Sequence, residues 1–460
     1  MNIKNLHIVY FLGVGGIGMS ALARYFLASG CNVLGYDKTK TVLTSQLEKE
    51  GVKIHYQEDV AFIPNEIKSK QENTLVIYTP AIPKDNNEFL FFQQQQIRIY
   101  KRSEVLGLIS QNYFTIAVAG THGKTTTSSI IAHLLQSCGV PCNAFLGGIS
   151  LNFNSNLVLN SEAKIMVVEA DEFDRSFLTL SPDIAIITSL DADHLDIYED
   201  KATMHQAYQD FTHKIKVGGT LLTKKTYLTM LNLPSTIHTK TYSISENADY
   251  EGKNRTINNG NFVIDVKTPS NFIANVEIGL PGIHNTENSL AAFAVADLLQ
   301  IDNQKIKAAL ASYKGVQRRF QFHIKTPNLV YLDDYAHHPT ELSACILSIK
   351  ELFPNKKITG IFQPHLFTRT RDFADEFAQS LSLLDTLILL DIYPARELPI
   401  EGVTSQMLLD KVTINNKKII KKEDVIYELK QTKLEILVTL GAGNIDELVE
   451  PIAEFLKQKV

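Results

Sequence analysis

The residues best equipped for chemistry lie in Ala119-Gly120-Thr121-His122-Gly123-Lys124-Thr125-Thr126, between the apolar run 114–118 and a helical pattern that ends near Cys138. A strand, a glycine-bearing loop and a helix in that order make a phosphate cradle. Backbone N–H groups turn inward, Lys124 adds a positive charge, and Thr125 can offer its hydroxyl to a bound Mg²⁺. The segment predicts an ATP site built on Gly120, Thr121, His122, Gly123, Lys124, Thr125 and Thr126. The usual G-x-x-x-x-G-K-[ST] pattern would need a glycine at 118, where Val118 stands, so this is the shorter G-x-x-G-K-T form.

Further candidates stand at the ends of other apolar runs. Glu169 follows 165–168, where a carboxylate can hold Mg²⁺ beside a triphosphate, as in a Walker B arrangement. Asp191-Ala192-Asp193-His194-Leu195-Asp196 follows 184–187, and His194 among three carboxylates is a candidate ligand for a second metal ion; a solvated acidic turn is the alternative. Pro281-Gly282-Ile283-His284-Asn285-Thr286-Glu287-Asn288 opens a helix predicted over 289–299, and Asn285 and Asn288 could read a base edge or simply cap that helix. Arg318-Arg319 offers guanidinium groups for a migrating phosphoryl group. The strings 333–341 and 363–371 are dense with polar side chains suited to positioning a substrate.

Near the N-terminus, Gly13, Gly15 and Gly18 fit G-x-G-x-x-G, with Gly16 inside the loop and Asp37 about 20 residues on, where a Rossmann domain places its ribose-binding acid. The fingerprint recognises a pyrophosphate on a helix N-terminus, and so fits NAD, FAD or any diphosphate-linked nucleotide. Thr79, Pro80 and Ala81, after the strand 74–78, belong to a second loop that could line the same crevice.

These loops need parallel sheets to hold them, and strands alternating with helical patterns along most of the 460 residues predict α/β domains. Three groups are visible: a Rossmann-like domain over 1–110, a P-loop-type ATPase domain over 111–315, and a second Rossmann-like domain over 316–460. A polar stretch at 245–261 reads as a surface hairpin or loop. With 44% hydrophobic residues, 21% charged and a formal net charge of -5, the composition is that of a soluble globular protein, and no basic excess suggests a nucleic-acid partner. Four scattered cysteines without C-x-x-C spacing, no leader and no membrane-length apolar run predict a cytoplasmic protein that is not inserted in a membrane.

The strings Gly13 to Ser20, Gly120 to Thr127, Glu169 to Glu172, His284-Asn285-x-x-Asn288, Asp333 to Glu341 and Gln363 to Arg371 together resemble the Mur ligases, ATP-dependent amide ligases of peptidoglycan precursor synthesis. The resemblance runs through all three domains in order. It implies UDP-sugar on the first domain rather than NAD, ATP with Mg²⁺ or Mn²⁺ on the second, and the incoming amino acid on the third. The partners implied are UDP-N-acetylmuramate, L-alanine and ATP. The sugar-linked carboxylate would attack the γ-phosphate, and the amino-acid nitrogen would then displace phosphate from the acyl phosphate. By the same resemblance Lys124, His194 and Arg319 serve the phosphoryl transfer, with Thr125 and Glu169 on the first metal ion and His194 on the second. Asn285 and Asn288 would contact adenine, while Tyr335, His337 and Arg369 surround the amino acid. Two departures matter. The lysine that many members carbamylate for metal binding has no counterpart in Ala207-Tyr208-Gln209-Asp210, as the alanine-adding branch implies, and Leu366 stands where some members carry arginine. Recycling of a preformed murein tripeptide onto the same UDP-sugar stays open within the family, and a nicotinamide-dependent dehydrogenase outside it.

Overall fold

The structure, a computed structural model, describes residues 3–191, 200–258, 260–395 and 397–459. Three sheets organise them. The first has the order Lys53–His55, Asn32–Tyr36, Ile8–Leu12, Thr74–Tyr78, Ile99–Lys101, parallel throughout. Its strand order reverses between Ile8–Leu12 and Thr74–Tyr78, so the loops after those two strands open on one crevice at the carboxyl edge. Gly13 adopts φ +84°, and a Cβ there would lie 2.5 Å from Thr79 Cγ2, which puts the two loops in contact.

The second sheet has ten strands. Thr220–Thr223, Ile184–Ile187, Phe114–Ala119, Ile165–Glu169 and Cys142–Ser150 run parallel at its centre, with Ser155–Val158 antiparallel on one edge. Its other side continues through His238–Ser243, Tyr250–Asn258, Asn261–Lys267 and Phe272–Ile278, so the polar stretch 245–261 contains the strand Tyr250–Asn258 and the first residue of the next. The central strands are buried on both faces, which accounts for their continuous apolar character. The third sheet orders Gln321–Lys325, Val330–Asp334, Ile436–Leu440, Ile358–Phe362, Thr386–Leu389 and Lys417–Ile419, parallel except for its first strand.

The chain divides into two compact units. One comprises Met1–Lys253, Asp265–Val276 and Glu287–Tyr313 and holds the first sheet and the centre of the second; the other comprises Asn254–Ile264, Glu277–Thr286 and Lys314–Val460 and holds the third. In the larger unit the apolar face of helix Ile17–Ala28 shares a core with Ala117, Val168 and Phe145 of the second sheet. Among the described residues no helix is long and apolar enough to cross a membrane.

One element differs from the sequence reading. The helix predicted from 289 begins at Ile283 and runs to Leu298. Pro281-Gly282 turns the chain with φ +116° at Gly282, and Thr286 then closes the first turn through both its N–H and its hydroxyl to the Gly282 carbonyl, at 2.9 Å each.

Candidate functional site

In the first sheet, helix Ile17–Ala28 starts from Gly16 with no side-chain cap, so its first-turn amides are open at the mouth of the glycine loop. Asp37 supports the loop directly. Its Oδ2 accepts from the Gly15 N–H at 2.7 Å and its Oδ1 from the Thr39 N–H at 3.1 Å, and a Cβ at Gly15 would lie 2.8 Å from Oδ2. Thr79 is half-buried against Gly13, while Pro80 and Ala81 are exposed beside it.

In the second sheet, the loop after Phe114–Ala119 has the conformation the sequence requires. Gly120 and Gly123 take φ of +127° and +84°, and a Cβ at Gly120 would sit 2.2 Å from Thr188 Oγ1. The Thr121 hydroxyl is 2.7 Å from Ser189 Oγ, which also accepts from the His122 N–H at 2.8 Å, and the His122 ring lies 3.9 Å from Asp191. Helix Lys124–Ser137 then buries Thr125 and Thr126 in its first turn. Lys124 folds back over its own loop: Nζ donates to the Gly120 carbonyl at 2.8 Å and to Glu172 Oε1 at 2.8 Å. Glu172 is fully buried. Burial pulls the Lys124 ammonium down, but Glu172, then Asp171 and Glu169, outweigh it and hold the pKa above the ordinary lysine value.

Glu169 ends its strand with the carboxylate over Gly147, whose N–H donates to it at 3.1 Å; a Cβ at Gly147 would fall 2.2 Å from Oε2. The acidic run therefore divides its work, Glu169 toward the neighbouring strand and Glu172 onto the lysine. The sequence points to Glu169; Glu172 carries no signal there beyond its place three residues past the strand end. His194 lies outside the described residues. Asn288 closes on the phosphate loop, since a Cβ at Gly123 would lie 2.7 Å from its Oδ1, whereas the Asn285 amide donates to the Pro281 carbonyl at 2.6 Å.

The third sheet gathers a separate group. Of the arginine pair, Arg318 is a latch: its guanidinium donates to buried Asp333 at 3.1 Å and to the Gly441 carbonyl at 2.6 Å. Arg319 instead lies 5.0 Å over the Tyr335 ring and 3.9 Å from Glu341. Asp334 ties the two strand-end loops together by accepting from the Phe320 and Ala336 N–H groups, both at 2.7 Å. Of the two histidines before Pro339, His338 caps helix Pro339–Leu352 and packs on Phe373 at 4.9 Å, while His337 meets Tyr335 at 5.2 Å and His365 at 6.1 Å between ring centres. No cluster of three metal-ligating side chains occurs among the described residues.

Burial pushes His337 down to about 4, against Glu341 and with Arg369 adding to the fall; His365 is pushed to about 4 by burial, then by His337 and Arg369. Both rings are therefore neutral at pH 7. His337 Nδ1 faces the Tyr335 carbonyl at 3.0 Å, and a carbonyl only accepts, so Nδ1 carries the proton and Nε2 is left as an acceptor. Arg369 rides on the short helix Phe367–Asp372, which starts from Leu366 at φ +72°. Tyr335, His337, Arg369 and Arg319 thus form one cluster, to which the structure adds His365 and Glu341.

Glycine-led loops at the carboxyl ends of parallel sheets, one carrying a lysine on its helix N-terminus, define an α/β nucleotide-binding protein of the P-loop type. More narrowly, the chain belongs to the Mur ligase family. The family models for the Mur ligase catalytic domain, middle domain and glutamate ligase domain match residues 8–114, 118–296 and 318–443. Similar proteins include the UDP-N-acetylmuramate–L-alanine ligases of Parabacteroides distasonis, 50% identical over 460 residues (100% of this chain, 99% of that one), and Christiangramia forsetii, 48% identical over 455 residues (99% of each). Among solved structures, a UDP-N-acetylmuramate–alanine ligase from Thermotoga maritima superposes with a TM-score of 0.82 at 25% identity, covering 98% of this chain and 99% of that one. A murein peptide ligase from Psychrobacter arcticus, at TM-score 0.72 and 22% identity over 98% of both chains, shares the fold.

Proposed function

We propose that this protein joins L-alanine to the carboxylate of UDP-N-acetylmuramate at the expense of ATP, through an acyl phosphate, in cytoplasmic peptidoglycan precursor synthesis. The observation that carries the substrate pair is the 48 to 50% identity, over essentially the whole chain, to ligases of that activity.

The diphosphate of the UDP-sugar rests on the open amides after Gly13, Gly15, Gly16 and Gly18, flanked by Thr79, Pro80 and Ala81. Asp37 braces that loop, and each of its oxygens keeps a lone pair for a ribose hydroxyl. ATP takes the loop Gly120 to Thr126, with Asn285 and Asn288 on the adenine side. Its triphosphate draws Lys124 from Glu172 toward the γ-phosphate, where a fixed ammonium neutralises charge as the phosphoryl group passes to the sugar carboxylate. Arg319 and His194 serve the same transfer.

The hard oxygen donors around Lys124 fit a magnesium or manganese ion. Thr125 and Glu169 would hold it, with His194 on a second, and the ion would screen the β- and γ-phosphate oxygens. In the third-sheet cluster the Arg369 guanidinium takes the α-carboxylate of L-alanine, Tyr335 closes over it, and the acceptor Nε2 of His337 orients the nitrogen. With its pKa near 4, His337 is too weak a base to deprotonate an ammonium, so its part is aim rather than proton removal. Attack by the amine on the acyl carbonyl forms the amide and expels inorganic phosphate.

Phosphate release with UDP-N-acetylmuramate, ATP and L-alanine tests the reading, run beside the same mixture with a murein tripeptide in place of alanine. Turnover with alanine is expected; turnover with the tripeptide alone would replace this assignment by the recycling reaction.

A further inference from the structure

Strand Ile99–Lys101 of the first sheet delivers the chain into helix Arg102–Ser110, and the first residue of that helix stands beside the glycine loop. A Cβ built on Gly18 would lie 2.9 Å from both Cδ and Nη1 of Arg102 and 3.1 Å from Cζ. The guanidinium therefore covers the bare face of Gly18 in the first turn of helix Ile17–Ala28, where the amides have no side-chain cap. No side chain other than glycine would let it approach so closely.

The rest of this helix is firmly seated. The Thr179 hydroxyl donates to the Ser103 carbonyl at 2.9 Å, a Cβ at Gly107 would fall 2.5 Å from the Thr179 carbonyl oxygen, and Lys101 pairs with Asp174 at 2.8 Å. Arg102 itself is committed far less. Its side chain is 22% exposed, and among the described residues its one polar contact is Asp171 at 3.8 Å, itself 37% exposed. A guanidinium carries five donors in a rigid fork, and an arginine pinned by its neighbours yet holding one loose carboxylate keeps that fork for another anion.

We propose that Arg102 is a binding residue for the diphosphate of the UDP-sugar, resting on Asp171 until the ligand arrives. This rests on the UDP-sugar assignment above and adds to it a side chain that the glycine fingerprint cannot reveal. The loop amides solvate the diphosphate from one side, and the guanidinium covers it from the other with two parallel hydrogen bonds. The exchange also uncovers Asp171, one residue before the Glu172 that holds Lys124, so the field at the phosphate loop changes when the acceptor binds.

Calorimetric titration of the full chain with UDP alone provides the test, because UDP has the diphosphate and lacks the muramyl carboxylate. Arg102→Gln is expected to weaken UDP about tenfold or more, to leave uridine unaffected, and to flatten the salt dependence of UDP binding. Arg102→Lys, which keeps the charge and loses the fork, should fall between. Unchanged UDP affinity in Arg102→Gln overturns the proposal, even if UDP-N-acetylmuramate itself binds more weakly. So does an equal loss for uridine and UDP, which would mark a structural role. Wild-type protein that binds UDP but releases no phosphate with the full substrate set would defeat the ligase reading instead, and the UDP titration would still decide Arg102.

Discussion

At the scale of single residues, the 2.8 Å contact between Lys124 and fully buried Glu172 complicates the obvious experiment. Lys124→Ala removes the charge at the phosphate loop, and the expected loss in kcat is several kcal/mol of transition-state stabilisation. It also strips a buried carboxylate of its cation, a change that costs about 3 to 5 kcal/mol of stability on its own. The two effects separate in the double variant: adding Glu172→Gln to Lys124→Ala should restore most of the lost melting temperature while phosphate release stays abolished. Recovery of turnover together with stability would show that the lysine acts only as a structural counter-ion. In the other unit, Arg369→Lys should raise the KM for L-alanine and spare that for ATP, since an ammonium cannot hold a carboxylate with two parallel hydrogen bonds. Steady-state kinetics with each substrate varied in turn would reveal a KM for alanine that does not move, and so take Arg369 out of the amino-acid site.

At the scale of elements, the hairpin of Cys142–Ser150 and Ser155–Val158 serves two loops at once. Gly147 supports Glu169 near the phosphate loop, and fully buried Asn156 reaches helix Ile17–Ala28. The Asn156 amide donates to the Ile17 carbonyl at 2.6 Å and to Ser20 Oγ at 3.0 Å, and its oxygen accepts from Arg24, whose fork is also bound to Glu50. Asn156→Ala removes the amide and leaves those partners unsatisfied, so a loss on the order of 3 kcal/mol is expected in urea unfolding; a loss near zero would mean that water replaces the amide. Nothing in the sequence marked Asn156, because its partners lie more than 130 residues away. Local pattern sufficed for some elements: the runs 74–78 and 184–187 are strands with those bounds, and the helix after the phosphate loop ends at Ser137, beside the expected Cys138, since apolar runs punctuated by glycine carry that information themselves. The helix from Ile283 started earlier than predicted because its polar residues resembled caps. Burial of Asn285, Thr286 and Asn288 against neighbouring elements overrode that local preference. The same reason hid Glu172, His365 and Arg102, whose roles depend on which side chains the fold brings beside them.

At the scale of the whole molecule, buried titratable groups set the response of stability to pH. In the unit that carries the third sheet, His337 and His365 fall from 6.5 to about 4, so the unfolded chain binds their protons more readily than the folded one. Their contribution is complete above about 6.5 and is lost as pH falls through 4. Asp334 works the other way. Burial, against Arg319 and two backbone N–H groups, raises its carboxyl from 3.8 to about 7, so its contribution is complete below 3.8 and is lost as pH rises through 7. His323 of the same unit is lowered by burial as well, so between 4 and 6.5 three imidazoles oppose one carboxyl; unfolding takes up at least about one proton, a slope of roughly 1.4 kcal/mol per pH unit or steeper. In the other unit Glu88, pushed up to about 7 by burial, and His55, lowered by burial, flank the hydroxyl of Tyr10 and oppose each other over the same range. The melting temperature of the wild type should therefore fall as pH is lowered from 6.5 to 4.5. Replacing both histidines, His337→Gln with His365→Gln, should remove most of that slope, because Asp334 and Glu88 are then opposed by His55 and His323. Calorimetric melting of both proteins across this range checks the change in slope; a double variant that still loses stability on acidification to the same extent would show that the two imidazoles are not the groups that titrate.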